Sequence, residues 1–216
     1  MKELGPERST ARTPGTPKAA RRRWFFIAAA CFGLLVAGCK ESKADAGPGP
    51  APALEGQHGD DGRFSLEKQR GKVVVLAFGY TYCPDVCPMT LATLKRAYAA
   101  LGNRKQDVKV VFASVDPKRD SAKAVADYAA AFDPAFIGVR LDHMESTVQA
   151  FEVTVSQRFP DNSAAAKVAD TDREGFYFVD HTGLFFLIDR AGLLQKKLPV
   201  QADHQELARE IEGLLG

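Results

Sequence analysis

Val73-Val74-Val75-Leu76-Ala77-Phe78-Gly79-Tyr80-Thr81-Tyr82-Cys83-Pro84-Asp85-Val86-Cys87-Pro88 runs from six consecutive apolar residues into two cysteines and a proline. An apolar run of that length reads as a buried strand. Beyond it, Leu91, Leu94, Tyr98 and Leu101 recur at helical spacing within residues 89–101, so the two thiols sit at a strand-to-helix junction. Pro88 suits a first helical turn, where a missing N–H leaves nothing unpaired, and this puts Cys87 at or just before the helix start. There the helix dipole favours thiolate over thiol. If the turn is already helical from Pro84, the i, i+4 spacing also stacks both sulfurs on one face. Two soft ligands on one face invite a disulfide or a soft metal.

Working outward, residues 108–115 form a second near-continuous apolar strand, as expected of a parallel sheet covered on both faces. Strand, helix, strand implies a right-handed crossover. The turn Asp116-Pro117-Lys118-Arg119-Asp120-Ser121 leads into a helix with Val125, Tyr128, Ala129 and Phe132 at helical spacing. A shorter strand at 136–141 precedes Asp142, expected to cap a helix reaching Phe151. Residues 160–173 are polar and read as a surface insertion. Residues 176–179 and 184–188 flank Asp180-His181-Thr182-Gly183, expected as a hairpin turn. A second turn at 189–192 leads into 193–198, and the last helix spans about 203–215 with Leu207, Ile211 and Leu214 inward. On the N-terminal side, Gly62-Arg63-Phe64-Ser65-Leu66 after Asp60-Asp61 reads as a short hairpin arm. The fold class is α/β: a thioredoxin-like mixed sheet flanked by helices, with an N-terminal hairpin arm and a surface insertion.

The formal net charge of +2 over 216 residues conceals an asymmetry. Residues 1–23 hold seven Lys/Arg against two Asp/Glu, and residues 40–216 hold 22 basic and 25 acidic residues, a net of −3. A mildly acidic domain has no electrostatic reason to bind nucleic acid. The basic excess belongs to a targeting segment: Arg21-Arg22-Arg23, fifteen apolar residues over 24–38, then Cys39. Fifteen is short of the roughly 20 that a spanning helix needs. Leu35-Val36-Ala37-Gly38-Cys39 resembles the lipobox of bacterial lipoproteins, which makes Cys39 the expected lipidation site; Cys31 has too short an apolar stretch before it. Arg22-Arg23-Trp24-Phe25-Phe26 also resembles a twin-arginine signal. The expected organisation is a signal segment over 1–38, a flexible Gly/Pro/Ala-rich tether over 39–54 and one domain over 55–216, held on the extracytoplasmic, periplasmic side of a bacterial membrane by lipid. An uncleaved short anchor is the competing reading. With Cys31 in the signal and Cys39 lipidated, only Cys83 and Cys87 remain, which excludes a four-cysteine zinc site.

Two thiols in an exported protein usually form a structural bridge. A bridge closing only three intervening residues constrains little chain entropy, so reactive chemistry accounts better for this pair. His58, His143 and His204 read as solvated surface residues. His181 is singled out by topology, because in a thioredoxin-like sheet the loop that carries it faces the Cys-bearing helix.

Phe78 to Pro88, then Ser114-Val115-Asp116-Pro117-Lys118-Arg119-Asp120, then Val179-Asp180-His181-Thr182 and Leu187-Ile188-Asp189-Arg190-Ala191-Gly192 together resemble the Sco/SenC family, in the family's order, over roughly residues 56–215. Ser121-Ala122 stands where the family more usually has Thr-Pro. The resemblance implies a membrane-tethered thioredoxin-like domain that helps assemble the dinuclear copper centre of cytochrome c oxidase. It also implies that Cys83 and Cys87 are copper thiolates and a redox pair, with His181 as third ligand. Partners implied are the copper-bearing oxidase subunit and other copper chaperones or thiol-disulfide oxidoreductases. Two thiolates and an imidazole form a soft set suited to Cu(I), able to hold Cu(II) with a further weak ligand. Met89 could be an added soft ligand but is expected as core filler. The alternative function is a thiol-disulfide oxidoreductase. A general thioredoxin would have a two-residue spacer and a proline in the 180–183 loop, and a peroxiredoxin would need Thr three residues before its cysteine, where Thr81 is two before Cys83.

Overall fold

The apolar run is the centre of the molecule. The computed structural model describes residues 48–159 and 177–216; the expected signal segment, Cys31, Cys39, most of the tether and the 160–173 insertion lie outside the described residues. In order, the strands and helices are β1 (Gly49–Pro50), β2 (Glu55–His58), β3 (Gly62–Ser65), β4 (Val73–Gly79), α1 (Val86–Ala100), β5 (Val108–Ser114), α2 (Ala122–Ala130), β6 (Ile137–Leu141), α3 (Met144–Ala150), β7 (Val155–Arg158), β8 (Phe178–His181), β9 (Leu184–Ile188), β10 (Leu193–Pro199) and α4 (His204–Leu215). Eight strands make one mixed sheet in the order β1-β10-β9-β4-β5-β6-β2-β3, with β7 and β8 in a separate two-stranded ribbon. Parallel pairing joins β4 to β5 and β5 to β6, while β9 lies antiparallel on the other side of β4. All seven residues of β4 are buried, as a strand with neighbours on both edges and cover on both faces requires.

Alternation along β4 sends Ala77 and Gly79 to one face and Phe78 to the other. On the Phe78 side, Phe78, Phe151 and Phe186 form an edge-to-face cluster with ring centroids 5.3–5.6 Å apart. Edge contact places the positive ring rim on a negative face and adds to the area buried. Tyr98 of α1 meets Phe136, and Phe112 of β5 meets Tyr128 of α2. Leu91, Leu94, Tyr98 and Leu101 are all buried, in agreement with the helical periodicity, and α1 packs against α4.

Three local expectations are corrected. The Asp180–Gly183 stretch is not a hairpin turn: β8 pairs with β7, Val155 opposite His181, while β9 pairs with β4 and β10. Asp142 does not cap α3; His143 occupies the cap position, and Asp142 instead pairs with Arg63 of β3. The N-terminal arm is the expected hairpin of β2 and β3, and β2 joins it to the main sheet by pairing with β6. The far end of the expected tether is laid on the domain, with Gly49 and Pro50 opposite Leu194 and Leu193, the Ala51 N–H donating to the Gly192 carbonyl at 2.9 Å, and Leu54 only 2% exposed.

Helix α2 approaches β6 so closely that a Cβ on Gly138 would lie 2.1 Å from the Val125 carbonyl oxygen. Backbone cannot yield there as a side chain would. Gly138→Ala is therefore expected to destabilise the domain by about 1–3 kcal/mol, read as a lower urea midpoint at unchanged slope; an unchanged midpoint would contradict this packing.

Candidate metal and thiol centre

Strand β4 ends at Gly79 because the chain must turn across the N-terminus of α1. Cys87 is the second residue of that helix, with Asp85 at the cap position and no side-chain hydrogen bond made there. The turn is not helical from Pro84. The two sulfurs are brought together another way: the Cys87 N–H donates to Cys83 Sγ at 3.4 Å. An unengaged N–H at a helix start is a ready donor to an anion. Cys87 is 2% exposed, and its sulfur lies 2.9 Å from where a Cβ on Gly79 would stand, with the Phe112 ring at 2.5 Å from the same point. Only glycine admits the thiol there. Cys83 is half-buried, and both cysteines are free thiols.

The two thiols are electrostatically unequal. Cys83 is lowered from its ordinary value of 9.0 to about 5, first because the Cys87 thiol donates a hydrogen bond to it, then because the backbone N–H groups of Asp85 and Cys87 and the charge of His181 stabilise the anion, against the opposing effect of burial. Cys87 moves up, because its proton is held by the Cys83 sulfur and because its own charge would be buried. At neutral pH the pair is one half-buried thiolate over one buried thiol.

His181 ends β8, and its Nε2 lies 4.0 Å from Cys87 Sγ. Its Nδ1 is 3.2 Å from the Thr182 carbonyl. A carbonyl can only accept, so Nδ1 carries a proton in this contact, and in the neutral ring Nε2 then turns its lone pair to the sulfur, the arrangement a metal-binding imidazole needs. Tyr80 ties the ribbon to the cysteine loop: its hydroxyl accepts from the Val179 N–H at 3.2 Å, and its ring meets His181 edge-on at 6.4 Å. With metal–sulfur and metal–nitrogen bonds of about 2.3 and 2.1 Å, a trigonal site separates sulfur from nitrogen by about 3.8 Å. The Cys87–His181 spacing matches this. Among the described residues no three Cys, His, Asp or Glu side chains already stand close enough to enclose a metal ion, so closure on a cation requires Cys83 or His181 to swing inward.

Met89 is not core filler; it is 57% exposed on the first turn of α1, with Tyr82 at 62% and Val86 at 40% beside the cysteine loop. His58 is not simply solvated, since its Nδ1 lies 2.8 Å from the Gly138 carbonyl. His143 is exposed, and His204 pairs with Asp203. What residue-by-residue reading missed is the support beneath the loop. Asp116, 2% exposed, accepts from Arg119 Nε at 2.5 Å and from the Tyr177 hydroxyl at 2.6 Å. The Arg119 guanidinium lies 3.6 Å from the Tyr177 ring centroid, 5.0 Å from Tyr82 and 5.7 Å from Tyr80, so one cation is shared by three rings, two of them in the loop that carries Cys83. The available signal was a polar Ser114 closing an apolar strand just before two aspartates.

The model of the SCO1/SenC family matches residues 55–216. The chain belongs to the SCO1/SenC family. It is 30% identical over 146 residues to a SCO2-like protein of Rickettsia conorii, covering 67% of this chain and 66% of that one. Among solved structures, apo Sco1 of Thermus thermophilus superposes with a TM-score of 0.66 at 32% identity, over 78% of this chain and 93% of that one. ScoI of Bradyrhizobium japonicum, solved with copper bound, gives 0.64 at 26% identity, over 77% and 99%. The fold of this SCO1/SenC domain is accordingly thioredoxin-like.

The unequal thiols predict how the reduced protein reacts. A thiolate alkylates and a thiol does not, so iodoacetamide should label one site, Cys83, at a rate that holds from neutral pH downward and falls as pH passes through about 5. Cys87→Ala removes the main donor to Cys83 and should move that midpoint upward. A wild-type midpoint near 9, or equal labelling of both cysteines, would contradict the described asymmetry.

Proposed function

We propose that this SCO1/SenC protein is a copper metallochaperone that holds the ion between Cys83, Cys87 and His181 and helps assemble the dinuclear copper centre of cytochrome c oxidase. The observation that carries the reading is the Cys87 Sγ to His181 Nε2 approach of 4.0 Å across 94 residues, with Cys83 Sγ on the neighbouring N–H. The donor set fits the cargo: two sulfurs and one imidazole nitrogen suit a soft monovalent ion and bind hard cations poorly. Half-exposed Cys83 gives an acceptor's ligand access to the ion, and buried Cys87 keeps a second bond until the acceptor is engaged. The copper-bearing oxidase subunit is the proposed acceptor, with other copper chaperones as proposed donors, in line with family membership and with the copper bound in the related B. japonicum protein.

Cleavage of residues 1–38, lipidation of Cys39 and a tether that ends where Gly49 joins the sheet would hold the domain on the periplasmic face of a bacterial membrane. Among the described residues no helix is long and apolar enough to cross one.

A second reading, thiol-disulfide exchange, is favoured by the low value at Cys83. There the Cys83 thiolate attacks a partner disulfide and releases one partner thiolate. Cys87 then displaces the second with loss of its proton to that sulfur, leaving a Cys83–Cys87 bridge and a reduced partner. Both activities use the same sulfurs, so oxidation of the pair excludes copper.

Competition titration of the fully reduced chain under anaerobic conditions discriminates. One Cu(I) per chain is expected, lost in Cys83→Ser and weakened roughly tenfold to a hundredfold in His181→Ala. Affinity indifferent to His181 would overturn the three-ligand carrier and leave the exchange reading standing.

A further inference from the structure

Asp120 has no role in the proposed ligand set, yet its side chain spans from the β5–α2 turn to the cysteine loop. It is 1% exposed. Its Oδ1 accepts from the Thr81 hydroxyl at 2.5 Å, and its Oδ2 accepts from the Thr81 N–H at 3.1 Å and from the Ser114 hydroxyl at 2.6 Å. Three donors on one buried carboxylate form a charge-assisted set, stronger than neutral bonds. Thr81 is the second residue of the turn that the Cys83 N–H closes on the Tyr80 carbonyl at 3.3 Å. Holding both the N–H and the hydroxyl of Thr81 fixes the Tyr80–Thr81 peptide plane, and with it the direction in which the next two residues leave.

Asp120 is itself clamped from behind. Its N–H donates to the Asp116 carbonyl at 3.0 Å, and its own carbonyl accepts from Arg140 Nε of β6 at 3.1 Å, while Arg140 Nη2 donates to the Pro117 carbonyl at 3.1 Å. Ser114 Oγ, which donates to Asp120, also accepts from the Asp116 N–H at 3.1 Å. The carboxylate therefore adds the rigidity of the β5–β6 side of the sheet to a loop that is otherwise held through β4, the Tyr80 hydroxyl and the Arg119 guanidinium.

We infer that Asp120 is a positioning residue that sets Cys83 Sγ over the N-terminus of α1, beside Cys87, through the two hydrogen bonds of Thr81. The role rests on the reading of Cys83 and Cys87 as the working pair, whether the cargo is copper or electrons. A fixed loop raises the effective concentration of one sulfur at the other, so releasing it weakens every product that needs both.

The test uses the full-length chain in detergent and two readouts. The first needs no copper: the equilibrium constant for forming the Cys83–Cys87 bridge against glutathione. The second is Cu(I) affinity by competition. Asp120→Ala is expected to lower each by roughly tenfold with far-UV circular dichroism unchanged. Asp120→Asn should restore most of both, because its amide oxygen can take the Thr81 N–H and the Ser114 hydroxyl while its NH2 donates to Thr81 Oγ1, which turns from donor to acceptor. Thr81→Val keeps the N–H bond alone and should fall between. If Asp120→Ala fails to fold, Thr81→Val decides. Wild-type bridge formation in a folded Asp120→Ala or in Thr81→Val would overturn the inference, as would an Asp120→Asn no better than Ala, which would make the role one of charge. A wild-type chain that binds no copper would defeat the carrier reading and leave the glutathione equilibrium to judge Asp120.

Discussion

The seat of the Cys87 sulfur against Gly79 and the Phe112 ring is the constraint on which the centre depends. A strand buried on both faces must end where its last side chain can vanish, and Gly79 does so at the point where α1 arrives. The thiol takes the space a Cβ would have filled. That one contact fixes how far α1 stands from the sheet, keeps Cys87 at 2% exposure, and leaves the free N–H groups at the start of α1 to serve Cys83. Burial and donation then separate the two thiols: the sulfur that is covered keeps its proton, and the sulfur that receives N–H groups gives its proton up.

Around that seat the structure divides its labour among three supports. The sheet places Cys87. The β7–β8 ribbon, outside the main sheet, places His181 and is tied back through Tyr80 to the residues just before Cys83. The β5–α2 turn supplies two buried aspartates with different tasks. Asp116 gathers Arg119 and Tyr177 under the aromatic side of the loop, while Asp120 holds Thr81. Buried carboxylates are tolerated only where their oxygens are engaged, and both are.

How much of this was legible depends on which signals are local. The buried strands and the inward faces of α1 and α2 are written in apolar runs and helical spacing, and the Cys-x3-Cys junction with Pro88 marked its own position. His181 was legible, but on incomplete grounds. Asp180-His181-Thr182-Gly183 has turn chemistry that a hairpin and a sheet-changing connection share. The true partner of β8, Val155–Arg158, is mostly exposed and carries no alternation to announce it. Strand β2, Glu-Gly-Gln-His, is equally silent because it is held between β6 and β3 by backbone bonds rather than by a run of apolar side chains. Asp142 had the chemistry of a cap, and Arg63, 79 residues away, claimed it. Met89 followed the generic preference of methionine for interiors, whereas the first turn of α1 puts it in solvent. Asp120 was visible only as part of a turn, since nothing local says that its oxygens reach Thr81.

The central claim is that two sulfurs and one imidazole nitrogen, brought together from a helix start and a ribbon end, hold a single copper ion. X-ray absorption at the copper edge of the Cu(I)-loaded protein tests it most directly, because it counts scatterers by element and distance. Two sulfurs at about 2.3 Å and one imidazole nitrogen at about 2.0–2.1 Å are expected, with the nitrogen shell lost in His181→Ala. A sulfur-only shell identical in wild type and His181→Ala would contradict it.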